Sequence, residues 1–225
     1  MKTKLMTGVL LLAALLLIGC SGGGEGDAQP AADQKTEVAA TPAVYPALPV
    51  TEDEALLRCK AAAAALGSNL KTALKQAMQD GGPVAALEVC NVQAPAIAAA
   101  IDEREGITVG RTSLKWRNPD NAPDAWERGV LEKFAADKSG GASTLDLETW
   151  AVVPGPDGGR DFRYMKAIPT LSLCLKCHGA DVAPDVAEKI RTLYPADHAT
   201  GYGLGDLRGA FSVSIAMAEV GDGGD

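Results

Sequence analysis

The sequence contains few aromatic residues, few histidines and no run of basic side chains. Phe, Trp and Tyr make up 4% of the 225 residues, and there are two histidines. The formal net charge is −8. Because nucleic acid selects for basic surfaces, a chain this acidic is not expected to bind it. The low aromatic content leaves the core short of large, flat apolar side chains.

The familiar catalytic residue sets are also missing. We find no Ser–His–Asp set, no phosphate-binding loop and no carboxylate cluster of catalytic type in the sequence. A peroxidase-like reaction would need an acid–base group at an open iron position, and only His198 could supply one. We therefore expect that the protein is not an enzyme.

One short segment carries most of the chemical information. Residues 174–178 read Cys-Leu-Lys-Cys-His, and Cys-x-x-Cys-His is the attachment signature of a c-type haem. Cys174 and Cys177 would each bond to a vinyl group of one porphyrin, and His178 would offer its imidazole to the iron. The sequence thus predicts one covalently bound haem c.

Three other interpretations of this segment compete with haem attachment. A thioredoxin-like pair would use the same thiol spacing but does not need His178. A structural zinc site needs four ligands, usually in two separated pairs, and the chain has no second Cys-x-x-Cys. A disulfide within a tight loop is the third alternative.

The N-terminus predicts export. Lys2 and Lys4 precede an apolar run, Leu5–Ile18, which suits a signal peptide better than a membrane span. Residues 17–20, Leu-Ile-Gly-Cys, resemble a bacterial lipobox, so residues 1–19 would be removed and Cys20 lipidated. An ordinary signal peptide or an uncleaved anchor remains an alternative.

The prediction of export and the prediction of covalent haem support each other, because bacteria attach c-type haem outside the cytoplasm. Ser21 after Cys20 resembles an outer-membrane sorting signal, so we expect the protein on the periplasmic side of the envelope, held to the membrane by lipid. Residues 20–50 read as the lipidated Cys and a flexible linker, 51–218 as one domain and 219–225 as a disordered tail. Loss of Lys2 and Lys4 changes the charge from −8 to −10.

Periodicity predicts helices around the two remaining cysteines. A helix over residues 52–80 is capped by Thr51 and ends at Gly81-Gly82-Pro83, and a second helix carries Cys90. If the helices form a hairpin, Cys59 lies about 22 residues from the turn and Cys90 about 8. At about 1.5 Å per residue their heights differ by about 20 Å, whereas a disulfide needs Cα atoms within about 7 Å. We expect no bridge, and we expect Cys59 to be a buried apolar residue.

The rest of the domain predicts an α+β fold with helices beside an antiparallel sheet. Strands are expected at 107–114, 147–153, 160–168 and 209–217, the middle two as a hairpin. Further helices are expected at 124–138 and 182–193, with Pro184 at the start of the latter.

The second axial position of the iron is left open by this reasoning. The candidates are His198, Met165, Met217, Cys59 and Cys90, or no protein ligand at all. His/Met is the usual pair for electron transfer.

Several segments together resemble one family, a single-haem c-type domain with a PAS-like fold that was long catalogued as a domain of unknown function. It occurs in free periplasmic proteins and in sensory parts of signalling receptors. The matching segments are 82–90, 94–97, 110–115, 117–119, 121–124, 126–127, 163–165, 174–178, 193–195, 199–202 and 209–213.

The resemblance implies a PAS-like sheet and an unusual ligand pair, the His of the haem motif and a Cys from an early helix. The matching positions are His178 and Cys90, whereas Cys59 has no counterpart. The alternative is that Cys90 is merely buried. A displaceable thiolate suits a redox or diatomic-gas sensor that binds CO or NO and acts on an unknown redox or signalling protein partner. The alternative function is a periplasmic electron-transfer cytochrome c.

Arginines are the preferred partners of carboxylates, and a haem carries two propionates. Arg111, Arg117 and Arg163 are the candidates for this role. The alternative for each is a surface arginine with a local partner.

Overall fold

The structure is a computed structural model that describes residues 51–155 and 158–217. Four longer helices, three short helical turns and four strands make up this part of the chain. In order they are α1 (Glu52–Glu88), a π-helical turn (Val89–Gln93), α2 (Ala94–Glu105), β1 (Thr108–Thr112), a 3-10 turn (Pro119–Asn121), α3 (Ala125–Ser139), β2 (Glu148–Pro154), β3 (Arg160–Pro169), α4 (Leu175–His178), α5 (Pro184–Leu193) and β4 (Leu207–Met217). The predicted signal peptide 1–19, Cys20, linker 20–50 and tail 219–225 lie outside the described residues.

The strands form one antiparallel sheet in the order β1-β4-β3-β2. β2 and β3 pair as the predicted hairpin, with Trp150 opposite Tyr164. The closing strand β4 then runs between β3 and β1, placing Phe211 opposite Arg111. The predicted α+β class, an antiparallel sheet with flanking N-terminal helices, is confirmed.

Helix α1 covers one face of the sheet. Its side chains pack with alternate residues of β3 and β4, among them Phe162, Tyr164 and Val213, as the two-residue period of a strand requires. Cys59 is fully buried in this cluster, and burial raises the pKa of its thiol to about 12. Cys59 is therefore an inert apolar residue of the core.

The helical run that starts at α1 is also strongly apolar. Taken as one stretch, Glu52–Glu105 contains an 18-residue window with a mean hydropathy of 1.6, long and apolar enough to cross a membrane by composition alone. Because Ala55, Cys59 and Leu66 of this run are buried against the sheet, we describe α1 as a core helix.

Helix α3 covers the opposite face. Leu131 and Phe134 pack against Met165 and Ala167 of β3. Asp124 begins the helix with a capping box: its Oδ1 accepts from Glu127 N at 2.8 Å, and Glu127 Oε2 accepts from Asp124 N at 3.0 Å. The predicted helix over 124–138 is confirmed.

The chain bends after about eight turns of α1, at the position predicted from the glycines. Gly82 has φ 71° and ψ −165°, a left-handed φ that glycine adopts at little cost, and Pro83 follows it. The second predicted helix restarts at Pro95, near the start of α2. A π-helical turn at Val89–Gln93 separates the two parts, which the sequence did not predict.

Gly209 lies at a position of β4 where the backbone and its neighbours leave no room for a side chain. Its φ is 154°, and a Cβ built on it would overlap the carbonyl oxygen of Thr112 and lie 3.0 Å from Ser113 Cβ. Gly209→Ala is expected to lower the free energy of unfolding by about 1–3 kcal/mol through backbone strain alone, measured by urea unfolding. The control is Gly110→Ala in β1, where a Cβ meets nothing within 4 Å; equal losses in the two variants would contradict this account.

Candidate functional site

The Cys-x-x-Cys-His segment forms a single helical turn, α4. The amide N–H groups of Cys177 and His178 both donate to Cys174 O, at 3.2 and 2.9 Å. Residues three and four positions apart lie on one side of such a turn. Cys174, Cys177 and His178 therefore lie on the same side, as attachment to one flat group requires.

The imidazole of His178 is fixed by one hydrogen bond. Its Nδ1 lies 2.7 Å from the carbonyl oxygen of Ala199. A carbonyl oxygen only accepts, so Nδ1 carries the proton and Nε2 is left with its lone pair. Burial, with the charges of Arg208, Arg117 and Arg111, lowers the pKa of His178 well below its ordinary value. A neutral imidazole with a defined tautomer is the form that binds metals.

The loop that supplies Ala199 is tied to α4 by its backbone. Tyr202 N donates to His178 O, and Gly201 N donates to Gly179 O, each at 3.0 Å. Gly179 leaves the turn where a Cβ would lie 2.7 Å from Leu175 O, so the close approach requires glycine. The two segments thus form one unit around the imidazole.

Cys90 lies beside this unit. It is the second residue of the π-helical turn, and such turns recur at functional sites. Burial raises the pKa of Cys177, and the neighbouring Cys90 thiol raises it further. Burial and Cys90 likewise raise the pKa of Tyr194, to about 12. Leu87, three residues before Cys90, packs in the same apolar cluster as Cys177.

The other candidates for an iron ligand lie elsewhere. Cys59 and Met217 belong to the core beneath α1, and Met165 is fully buried beneath α3 on the opposite face of the sheet. His198 is exposed and contacts the Trp116 ring edge-on, with ring centroids 4.6 Å apart. Cys90 is the predicted candidate that lies close enough to Cys177 to raise the pKa of its thiol.

The arginines around His178 include one that sequence reasoning missed. Arg208 of β4 has the largest charge effect on the His178 pKa, followed by Arg117 and Arg111. Its Nη1 donates to Ser113 Oγ at 3.1 Å and to Lys115 O at 3.3 Å. No motif marks Arg208 in the sequence, because only the pairing of β4 with β1 brings it to the site.

Arg111 and Arg208 share one property that bears on anion binding. Within residues 51–155 and 158–217, neither forms a salt bridge with a carboxylate. Two such guanidinium groups make this side of the site suited to carboxylate ligands.

Arg117 and Arg163, in contrast, already have carboxylate partners. Arg117 is 6% exposed and pairs with Asp197. Arg163 donates to Asp124 at 2.6 Å and to Glu127 at 3.2 Å, with its guanidinium over the Trp126 ring. Arg163 therefore anchors α3 to the sheet, and the structure does not bring it to His178.

The zinc interpretation would require four protein ligands around one ion. Among the described residues, no group of three or more His, Cys, Asp or Glu side chains is arranged to hold a metal ion. The site instead combines two thiols and an imidazole on one turn with a third thiol from a neighbouring helix and two arginines suited to carboxylates. This combination matches the chemistry of covalent haem attachment.

The fold and the site together define a class of protein: an α+β domain that carries a Cys-x-x-Cys-His turn beside a cysteine from the π-helical turn after α1. The chain belongs to the Tll0287-like family, whose sequence profile matches residues 35–216. The family resemblance predicted from the motifs is thereby confirmed. Among solved structures, the chain is similar to one described as the cyanobacterial heme-protein Tll0287, with 27% identity and a TM-score of 0.44, over 67% of this chain and 94% of that chain. The comparison with curated proteins finds no match.

Proposed function

We propose that this protein binds one haem c, with thioether bonds to Cys174 and Cys177 and with His178 Nε2 as an iron ligand. The observation that carries the proposal is the α4 turn, which puts both thiols on the side of an imidazole whose Nδ1 is committed to Ala199 O. Membership of a family whose namesake is described as a heme protein supports it.

The surroundings of the turn fit such a group. Apolar side chains of α1 and α5, Leu87, Val186 and Ile190, form a cluster with Cys177, and Arg111 and Arg208 are suited to the two propionates. Bound haem supplies a redox-active iron that takes a diatomic gas where a coordination position is free. Which coordination positions are free depends on which side chains of the protein bind the iron.

Cys90 is proposed as the second axial ligand. A thiolate is an anionic donor, so it stabilises the oxidised over the reduced iron and should give a low potential. With haem bound, Cys90 would hold the iron as a thiolate that one-electron reduction makes easier to protonate, and the released sulfur would take its proton from solvent. The position left by Cys90 would then be open to CO or NO.

A ligand that leaves on reduction favours sensing over fast electron transfer, because the rearrangement slows each transfer. We therefore propose a non-catalytic redox or diatomic-gas sensor, tethered through Cys20 lipid to the envelope, at the periplasmic side of the outer membrane. Another protein would recognise the oxidation state or the gas-bound state of its haem. Electron transfer in the periplasm is the alternative function.

Cys90→Ala tests the ligand assignment. In the oxidised protein we expect changed optical and EPR spectra and a higher midpoint potential, because the anionic donor is lost. Wild type should change its spectrum on reduction in a way that indicates loss of a ligand, and should then bind CO.

Cys59→Ala is the matched control, since Cys59 is a thiol buried in the core beneath α1, and it should keep the wild-type spectra. A Cys90→Ala protein with the spectra of wild type would remove the main support for sensing. A high wild-type potential, with the same ligands in both oxidation states, would favour electron transfer.

A further inference from the structure

Arg117 and Asp197 form a buried ion pair next to the haem-motif turn. Arg117 Nε lies 3.1 Å from Asp197 Oδ1, and Arg117 Nη2 lies 3.1 Å from Asp197 Oδ2. The side chains are 6% and 9% exposed. A bidentate pair in this setting has a defined geometry and is weakly screened by salt.

The pair also holds the backbone on both sides of His178. Arg117 Nη2 donates to Cys177 O at 2.7 Å and to Ala199 O at 3.3 Å. Asp197 Oδ1 accepts from Ala199 N at 2.8 Å. Arg117 thus contacts the carbonyl of the residue before His178 and the carbonyl that accepts from His178 Nδ1.

The carbonyl oxygen of Ala199 is therefore shared between two donors. His178 Nδ1 approaches it at 2.7 Å and Arg117 at 3.3 Å. A guanidinium on this oxygen draws electron density from it, which weakens it as an acceptor for the imidazole N–H. The partner of a ligating histidine controls both the orientation of the ring and its basicity.

We propose that Arg117 and Asp197 are positioning residues that set the orientation and basicity of the His178 imidazole, and through it the midpoint potential of the haem. This inference rests on the proposed function. It assigns to Arg117 a role different from binding a propionate, because its guanidinium is already occupied by a carboxylate and two carbonyl groups.

The two partners are expected to act in opposite directions. Arg117→Gln removes a buried positive charge and leaves Ala199 O a better acceptor, and both effects stabilise the oxidised iron and lower the potential. Asp197→Asn removes a buried negative charge and leaves Arg117 unbalanced, which disfavours the oxidised iron and raises the potential. The double variant should lie near wild type.

Redox titration of the haem-loaded protein, purified from a host that matures c-type cytochromes, measures these shifts. We expect each single variant to change the equilibrium constant for one-electron reduction at least tenfold, which is about 59 mV. Asp124→Asn is the control, because it removes the same charge from an arginine-bound aspartate at the start of α3 and keeps a helix-capping side chain. Its potential should stay at the wild-type value.

The outcomes separate the two proposals. If wild type carries no covalent haem, the proposed function fails and this inference fails with it. If wild type is loaded but Asp197→Asn has the potential of Asp124→Asn, only this inference is overturned. Shifts of the same sign in Arg117→Gln and Asp197→Asn would overturn it too. If Arg117→Gln does not fold, the inference is tested by comparing the midpoint potentials of Asp197→Asn and Asp124→Asn alone.

Discussion

Replacing both Cys174 and Cys177 by Ala is expected to abolish covalent haem attachment. Each thioether needs its own sulfur, and the two sulfurs lie on one turn with His178, so no other thiol can substitute without moving the iron ligand. The measurements are a haem stain after denaturing electrophoresis and intact mass, both made on protein from a host competent for cytochrome maturation. The variant should show no stain and no added haem mass.

The chain supplies its own control for this experiment. Cys59→Ala also removes a thiol, but this thiol lies in the core between α1 and the sheet, and its variant should stain like wild type. A double variant that still carries haem through denaturation would contradict the assignment. Wild type that is colourless, with no mass beyond lipid, would contradict the haem proposal as a whole.

Phe162→Ala is expected to have the largest effect on stability. Phe162 is fully buried beneath α1 and stacks on the Trp150 ring with centroids 5.1 Å apart. Removing a buried aromatic ring costs about 3–5 kcal/mol, against a total stability of about 5–15 kcal/mol for a domain. Urea unfolding followed by circular dichroism measures the loss.

Leu57→Ala provides the comparison, because Leu57 is 71% exposed on α1 and its truncation leaves no cavity. Its midpoint should stay within the error of wild type. If Phe162→Ala unfolds at the same urea concentration as Leu57→Ala, the core has been assigned to the wrong face of β3.

Local signals in the sequence were sufficient to predict the longer helices and the strands. Asp124 with Glu127 predicted the start of α3, and the glycines at 81 and 82 predicted the break in α1, since both signals act within a few residues. The π-helical turn at Val89–Gln93 had no such signal, because its backbone differs from an α-helix by one hydrogen-bond register.

The arginines show where sequence reasoning reached its limit. Residue type alone did not distinguish the three candidates for binding the haem propionates, which were Arg111, Arg117 and Arg163. In the structure, Arg163 binds Asp124 and Glu127 at the start of α3 and Arg117 binds Asp197, whereas Arg208 of β4 lies close enough to lower the pKa of His178. A partner that is 80 residues away in the chain, as Asp197 is from Arg117, leaves no local pattern.

The sequence by itself determined the order of the longer helices and strands and the family, and it predicted the haem chemistry of residues 174–178, because each depends on residue types at short fixed spacings. Only the tertiary structure decided which groups surround His178. It brought Arg208 and the Arg117–Asp197 pair near His178, and Cys90 near Cys177, through the pairing of β4 with β1 and the packing of α1 against α5. Such contacts join residues far apart in the chain, so they are specified by the fold as a whole.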